Sequence, residues 1–131
     1  MRVLMIIPAY NEEESIFDTV TSILSYRKKV DFDLDYVVIN DGSTDKTKQI
    51  LEDNHFNAVN LVMNLGIGGA VQTGYKYALE HDYDVAVQFD GDGQHDIESL
   101  SDLLEPIRKN EADLVTVSYT HLRAHETEAD L

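Results

Sequence analysis

Short apolar runs alternate along this chain with segments whose apolar residues recur every three or four positions. Residues 3–7, Val-Leu-Met-Ile-Ile, read as a first strand ending at Pro8. Ile16, Val20, Ile23 and Leu24 follow at helical spacing, with Asn11 as the expected N-cap and Glu12, Glu13 and Glu14 in the first turn, where acids complement the helix dipole. A second strand at 36–39 leads through Asn40-Asp41-Gly42-Ser43-Thr44-Asp45 into a helix carrying Ile50 and Leu51. A third strand at 58–63 leads through a flexible turn, Asn64-Leu65-Gly66-Ile67-Gly68-Gly69, into a helix with Val71, Tyr75, Ala78 and Leu79. A fourth strand at 85–89 ends in Asp90-Gly91-Asp92-Gly93-Gln94-His95. A helix with Leu100, Leu103, Leu104 and Ile107 comes next, then a fifth strand at 114–117.

This alternation predicts an α/β fold, a mostly parallel sheet flanked by crossover helices. Each polar cluster sits just after a strand, so a parallel sheet gathers all four at one edge, where open α/β sheets bind ligands. At 131 residues the chain should form one core. No repeat or low-complexity linker divides it. The last fourteen residues, 118–131, show neither alternation nor a long apolar face, and residues 118–127 resemble translated adapter sequence. We therefore expect a natural domain over residues 1–117, incomplete at its C-terminus, followed by a tail of foreign origin or a frayed end.

The charge balance narrows the ligand class. Twenty-five acidic against ten basic residues give a formal charge of −15, with no Lys/Arg cluster to track a nucleic-acid backbone. A diphosphate would bind such a chain only where something local reverses the sign, and a divalent cation does that. Cysteine is absent, which excludes disulfide partners and thiolate metal sites. The N-terminal apolar run is too short for a secretion signal, and no run approaches the roughly 20 residues that span a bilayer. A cytoplasmic location is the expectation.

Asp90-Gly91-Asp92 places two carboxylates two residues apart on a turn, where they can converge on Mg²⁺ or Mn²⁺, and Gln94 adds a carbonyl oxygen. Taken alone it is more often a solvated acidic turn, and the three other polar clusters at the same edge reverse that reading. An EF-hand loop is excluded, because its glycine and glutamate positions hold His95 and Ser101. After the first strand, Tyr10 could stack on a base and Glu12 could accept hydrogen bonds from the base or its ribose. Asp41 could accept a base N–H or a ribose hydroxyl. By themselves these segments are also ordinary strand-turn-helix junctions. The glycine turn lets backbone approach a ligand closely, but it is not a dinucleotide fingerprint: the third glycine would fall at Val71, and the turn follows the third strand. His121 and His125 lack the glutamate of a HExxH zinc motif.

In order, Pro8-Ala9-Tyr10-Asn11-Glu12, the Asn40–Asp45 segment, Asn64-x-Gly66-x-Gly68-x-Ala70-x-x-x-Gly74 and Asp90-Gly91-Asp92-Gly93-Gln94-His95-Asp96 resemble the family 2 glycosyltransferases, most closely the dolichol- and polyprenyl-phosphate sugar transferases. The resemblance covers residues 2–114, the N-terminal portion of such an enzyme. It implies a GT-A, Rossmann-like fold, a UDP- or GDP-sugar donor and a Mg²⁺ or Mn²⁺ cofactor. Pro8, Ala9, Tyr10, Glu12 and Asp41 would hold the nucleoside, with Asn64 and Gly66 shaping the base and ribose pocket. Asp90 would meet ribose or metal. Asp92, the residue assigned the catalytic role, would ligate the metal with Gln94 against the diphosphate. The metal would stabilise the departing nucleoside diphosphate. A lipid-phosphate acceptor would be its own nucleophile and would bring the full-length protein to the inner face of the membrane. Some relatives carry a basic residue where this chain has Ile67 or Gln72.

Two other functions compete. A truncated chain could bind nucleotide sugar without turning it over. A haloacid dehalogenase-type phosphatase would use Asp90 as nucleophile and Asp92 as acid/base, but that family carries its motif on the first strand.

Overall fold

The computed structural model describes residues 1–89 and 115–118. Its elements are β1 (Arg2–Ala9), α1 (Ile16–Tyr26), β2 (Asp33–Asn40), α2 (Thr47–Asp53), β3 (Ala58–Asn60), α3 (Gly66–Glu80), β4 (Val85–Gln88) and β5 (Val115–Ser118), with a single 3-10 turn, Arg27–Lys29, after α1. The strands make one five-stranded sheet in the order β3-β2-β1-β4-β5, and every neighbouring pair is parallel. The expected parallel α/β architecture is therefore what the chain adopts.

β1 is the central strand, and residues 3–7 are fully buried because both faces of the sheet are covered. Its odd-numbered residues Val3, Met5 and Ile7 pack with Ile16, Val20 and Ile23 of α1 and Leu51 of α2. Its even-numbered residues Leu4 and Ile6 pack with Ala70 and Ala78 of α3. The two-residue period of the strand thus distributes one apolar run between two cores.

Several boundaries differ from the sequence-based expectation, among them that of β2, which runs from Asp33 to Asn40 and not 36–39, and four of the differences have a local reason. β1 continues through Pro8 to Ala9, because its pairing with β2 runs to Ala9 and Asn40. Pairing with β4 stops at Ile6 and Gln88. Phe89 donates its N–H to Ile6 O at 2.8 Å, so Ile6 and, two residues on, Pro8 face the β4 side. Pro8 has no N–H to extend that ladder. Asn11 is not the cap of α1: its backbone is left-handed at φ 52°, and residues 12–15 form a turn in which Glu12 O accepts N–H bonds from Ser15 and Ile16. Ser15 is the N-cap residue, so Glu12, Glu13 and Glu14 precede the helix and Asp18 is the acid in its first turn.

β3 is only three residues long, since β2 ends at Asn40 and leaves nothing further to pair with; Val62 is 99% exposed. The glycine turn is mostly helix: α3 begins at Gly66, which has φ 83°, and Gly68 and Gly69 lie in its first turn. Leu79, expected on the apolar face of α3, is exposed. The expected helix through Leu100 to Ile107, Leu114, and the tail beyond Ser118 lie outside the described residues.

Candidate functional site

In this strand order the chain moves outward from β1 through β2 to β3, then returns to the other side of β1 as β4. The reversal puts a crevice at the C-terminal ends of β1 and its neighbours. A cleft of about 390 Å³ opens at that edge, lined by Pro8, Ala9, Tyr10, Glu12, Asp41, Asn64, Gly66, Ile67 and Ala70. All seven residues expected at a nucleoside pocket in this part of the chain therefore converge on one cavity, from loops as far apart in sequence as residues 8 and 66. Ile67 and Ala70 are additional. The signal that could have found Ala70 was its place in the glycine-rich pattern, one helical turn beyond Gly66.

Asp41 is the organising side chain. Its N–H donates to Ala9 O at 2.8 Å, which extends the parallel ladder one step beyond β2 and brings Asp41 beside the end of β1. It is only 3% exposed. Its Oδ1 accepts the Leu65 N–H at 2.7 Å, while its carbonyl accepts the Asn64 side-chain amide at 3.2 Å. Asn64 Oδ1 in turn accepts the Gly66 N–H at 3.0 Å, an Asx turn that starts α3. One oxygen of the Asp41 carboxylate remains without a hydrogen bond among the described residues, at the wall of the cleft.

Beneath this layer, Asn40 is buried and its amide donates to Asn60 Oδ1 at 2.8 Å, tying the ends of β2 and β3. Gly42, at φ 70°, passes so close to the β3–α3 loop that a Cβ there would lie 2.6 Å from Asn64 N. Tyr10 lines the cleft and is 46% exposed. The Glu12 carboxylate accepts the Ser15 hydroxyl at 3.1 Å.

Asp90, Asp92 and Gln94 lie outside the described residues. Among the described residues no group of three or more His, Cys, Asp or Glu side chains could hold a metal ion. The Phe89 N–H bond to Ile6 O shows where the chain leaves β4: at the same edge as the cleft, beside β1. The donor chemistry of the residues that follow, two carboxylates and an amide oxygen, fits a hard divalent cation.

A parallel α/β sheet with a cleft at its switch point defines the class as an open, Rossmann-like α/β fold, in which ligands bind at that edge. The family model for glycosyl transferase family 2 matches residues 5–129, and the chain belongs to that family. It is 40% identical over 120 residues to an undecaprenyl-phosphate mannosyltransferase of Micrococcus luteus, covering 88% of this chain and 47% of the relative. It is 33% identical over 133 residues to a UDP-N-acetylglucosamine–dolichyl-phosphate N-acetylglucosaminyltransferase of Methanococcus voltae, covering 88% and 51%. The fold matches a glucosyl-3-phosphoglycerate synthase of Mycobacterium tuberculosis, solved with Mn²⁺ and UDP-glucose, at a TM-score of 0.61 and 23% identity over 81% of this chain and 39% of that one. The chain spans about half the length of the curated relatives it matches. Family membership removes the phosphatase alternative.

Proposed function

We propose that this chain is the donor-binding part of a metal-dependent glycosyltransferase that moves a sugar from a UDP- or GDP-sugar to a polyprenyl phosphate. The observation that carries the reading is the buried Asp41 carboxylate, with one oxygen unused, at the wall of a cleft shared with Pro8, Ala9, Tyr10, Glu12, Asn64 and Gly66. A buried acceptor without a partner is costly unless a ligand donor satisfies it, and a base N–H or a ribose hydroxyl would do so. Tyr10 offers a ring for stacking, and Asn64, fixed by its bonds to Asp41 and Gly66, lines the same cleft. The relatives of M. luteus and M. voltae support a lipid-phosphate acceptor, which would place the full-length protein at the cytoplasmic face of a membrane.

Asp90, Asp92 and Gln94 would hold Mg²⁺ or Mn²⁺, and the bound ion would neutralise the departing diphosphate. The Mn²⁺ and UDP-glucose in the M. tuberculosis structure support that assignment. In a chain of charge −15, none of the residues lining the described cleft is cationic, so a bound metal would supply the compensating positive charge. Calorimetry with UDP-glucose and GDP-mannose tests the reading. Binding of one of them with Mn²⁺ and its loss in EDTA is expected, and Asp92→Asn should weaken the metal-dependent affinity by roughly tenfold or more. Equal affinity in EDTA would sink the metal assignment. Binding of neither sugar nucleotide would favour a fragment that has lost donor binding.

A further inference from the structure

Tyr10 and Glu12 line the cleft from the loop after β1, and Asp41 from the loop after β2. Between Tyr10 and Glu12 stands Asn11, which does not line the cleft and whose backbone is left-handed at φ 52°. Asparagine tolerates that region better than other side-chain-bearing residues. The conformation turns consecutive backbone N–H groups toward the same side, the geometry of an anion-binding nest.

The nest is filled by the neighbouring loop. Asn11 N–H donates to Ser43 Oγ at 3.0 Å, Glu12 N–H to Thr47 Oγ1 at 2.9 Å and Glu13 N–H to Asp45 Oδ2 at 3.2 Å. Asn11 also returns the contact with its side chain: its Oδ1 accepts the Thr44 N–H at 2.8 Å, the Thr44 hydroxyl at 3.4 Å and the Asp45 N–H at 3.3 Å. Among the residues that lace the two walls of the cleft together, Asn11 makes four of the hydrogen bonds while lining neither the cavity nor the core.

We propose that Asn11 is a positioning residue for the donor cleft, holding Tyr10 and Glu12 in register with Asp41 by clamping the β1–α1 loop to residues 43–45. The inference rests on the donor-binding reading and adds to it the element that sets the width of the pocket. Without the clamp the two loops sample other separations, and apparent affinity falls in proportion to the competent fraction.

Three variants separate backbone conformation from clamp. Asn11→Gly keeps the left-handed backbone and removes the acceptor, Asn11→Asp keeps both, and Asn11→Ala loses both. On the full chain, well below its melting transition, UDP and GDP affinity is measured by calorimetry with Mn²⁺, and amide exchange is followed at Thr44 and Asp45. Asn11→Gly and Asn11→Ala should bind roughly tenfold more weakly with fast exchange at both amides, and Asn11→Asp should stay within about twofold of wild type. A folded Asn11→Gly protein with wild-type affinity would overturn the proposal. So would Thr44 and Asp45 amides that exchange equally fast in wild type and Asn11→Gly. If wild type binds neither nucleotide, the donor reading fails on its own, and the exchange comparison still decides whether the clamp exists.

Discussion

Gly42 occupies a position closed to any side chain for two reasons: its φ of 70°, and backbone atoms of residues 63 and 64 within 2.6 Å of where a Cβ would sit. Gly42→Ala should therefore destabilise the protein by about 1–3 kcal/mol, the range for a residue forced into the left-handed region, read as a lower urea midpoint. An unchanged midpoint would mean that the β3–α3 loop yields freely. At the opposite edge of the sheet, the Tyr83 phenol is pushed up to about 12 by burial and by its 2.8 Å hydrogen bond to Asp35, while Arg2 stands over its ring. Its folded pKa lies above the unfolded value of 10.0, so its contribution to stability is whole below that pH and is lost as pH rises toward about 12. The phenolate absorbance difference between wild type and Tyr83→Phe should accordingly titrate near 12; a midpoint at the ordinary value would show that the Asp35 contact does not persist in solution.

At the scale of elements, α3 packs tightly against β1 through its small residues. Ala70, Gly74 and Ala78 recur every four residues and present a narrow face to the sheet, all three buried. A Cβ on Gly74 would collide with the Ile6 side chain. Gly74→Ala should cost about 1–3 kcal/mol by overpacking, despite the better helix propensity of alanine. Gly68 is in the same helix but has open space around it, so Gly68→Ala should stabilise by about 0.5–1 kcal/mol. Thermal melts of the two variants should move in opposite directions, and a common direction would contradict the packing described. The loop pair carries its own acid sensitivity. Burial pushes the Asp45 carboxyl up, but hydrogen bonds from the Thr47 hydroxyl, the Thr47 N–H and the Glu13 N–H outweigh it and hold the group below its ordinary value of 3.8. A depressed pKa contributes stability that is present above the unfolded value and disappears as pH falls through the folded one. The stability gap between wild type and Asp45→Asn should shrink as pH is lowered below about 4.

For the molecule as a whole, a net charge of −15 opposes compaction, and the Arg27–Asp35 ion pair is a wide one at 4.0 Å. Raising salt from a few millimolar to physiological strength should raise the melting temperature, since screening over about 8 Å relieves repulsion between carboxylates. A flat or falling melting temperature would mean that local hydrogen-bonded carboxylates, such as Asp45, dominate over the long-range field. Among the described residues no helix is long and apolar enough to cross a membrane.

The buried central strand, the strand-helix alternation and the collection of polar loops at one edge could all be read in the sequence, because each rests on a period or a run within a few residues. Tyr10, Glu12 and Asp41 were legible at one edge for the same reason, since a parallel sheet puts every strand's C-terminus on one side, whereas Pro8, Ala9, Asn64 and Gly66 were assigned to the pocket through the family resemblance. Asn11 shows the limit. Locally it has the chemistry of a helix cap, and only the neighbouring loop, 32 to 34 residues further along, makes it the acceptor for Thr44 and Asp45 instead. The length of β3 was likewise decided by its partner: β2 ends at Asn40, whose carbonyl accepts the Leu61 N–H at 2.9 Å, and residues 62 and 63 had no strand left beside them. Local pattern determines which segments become strands and helices, and contacts distant in sequence decide where they stop and what their polar ends hold.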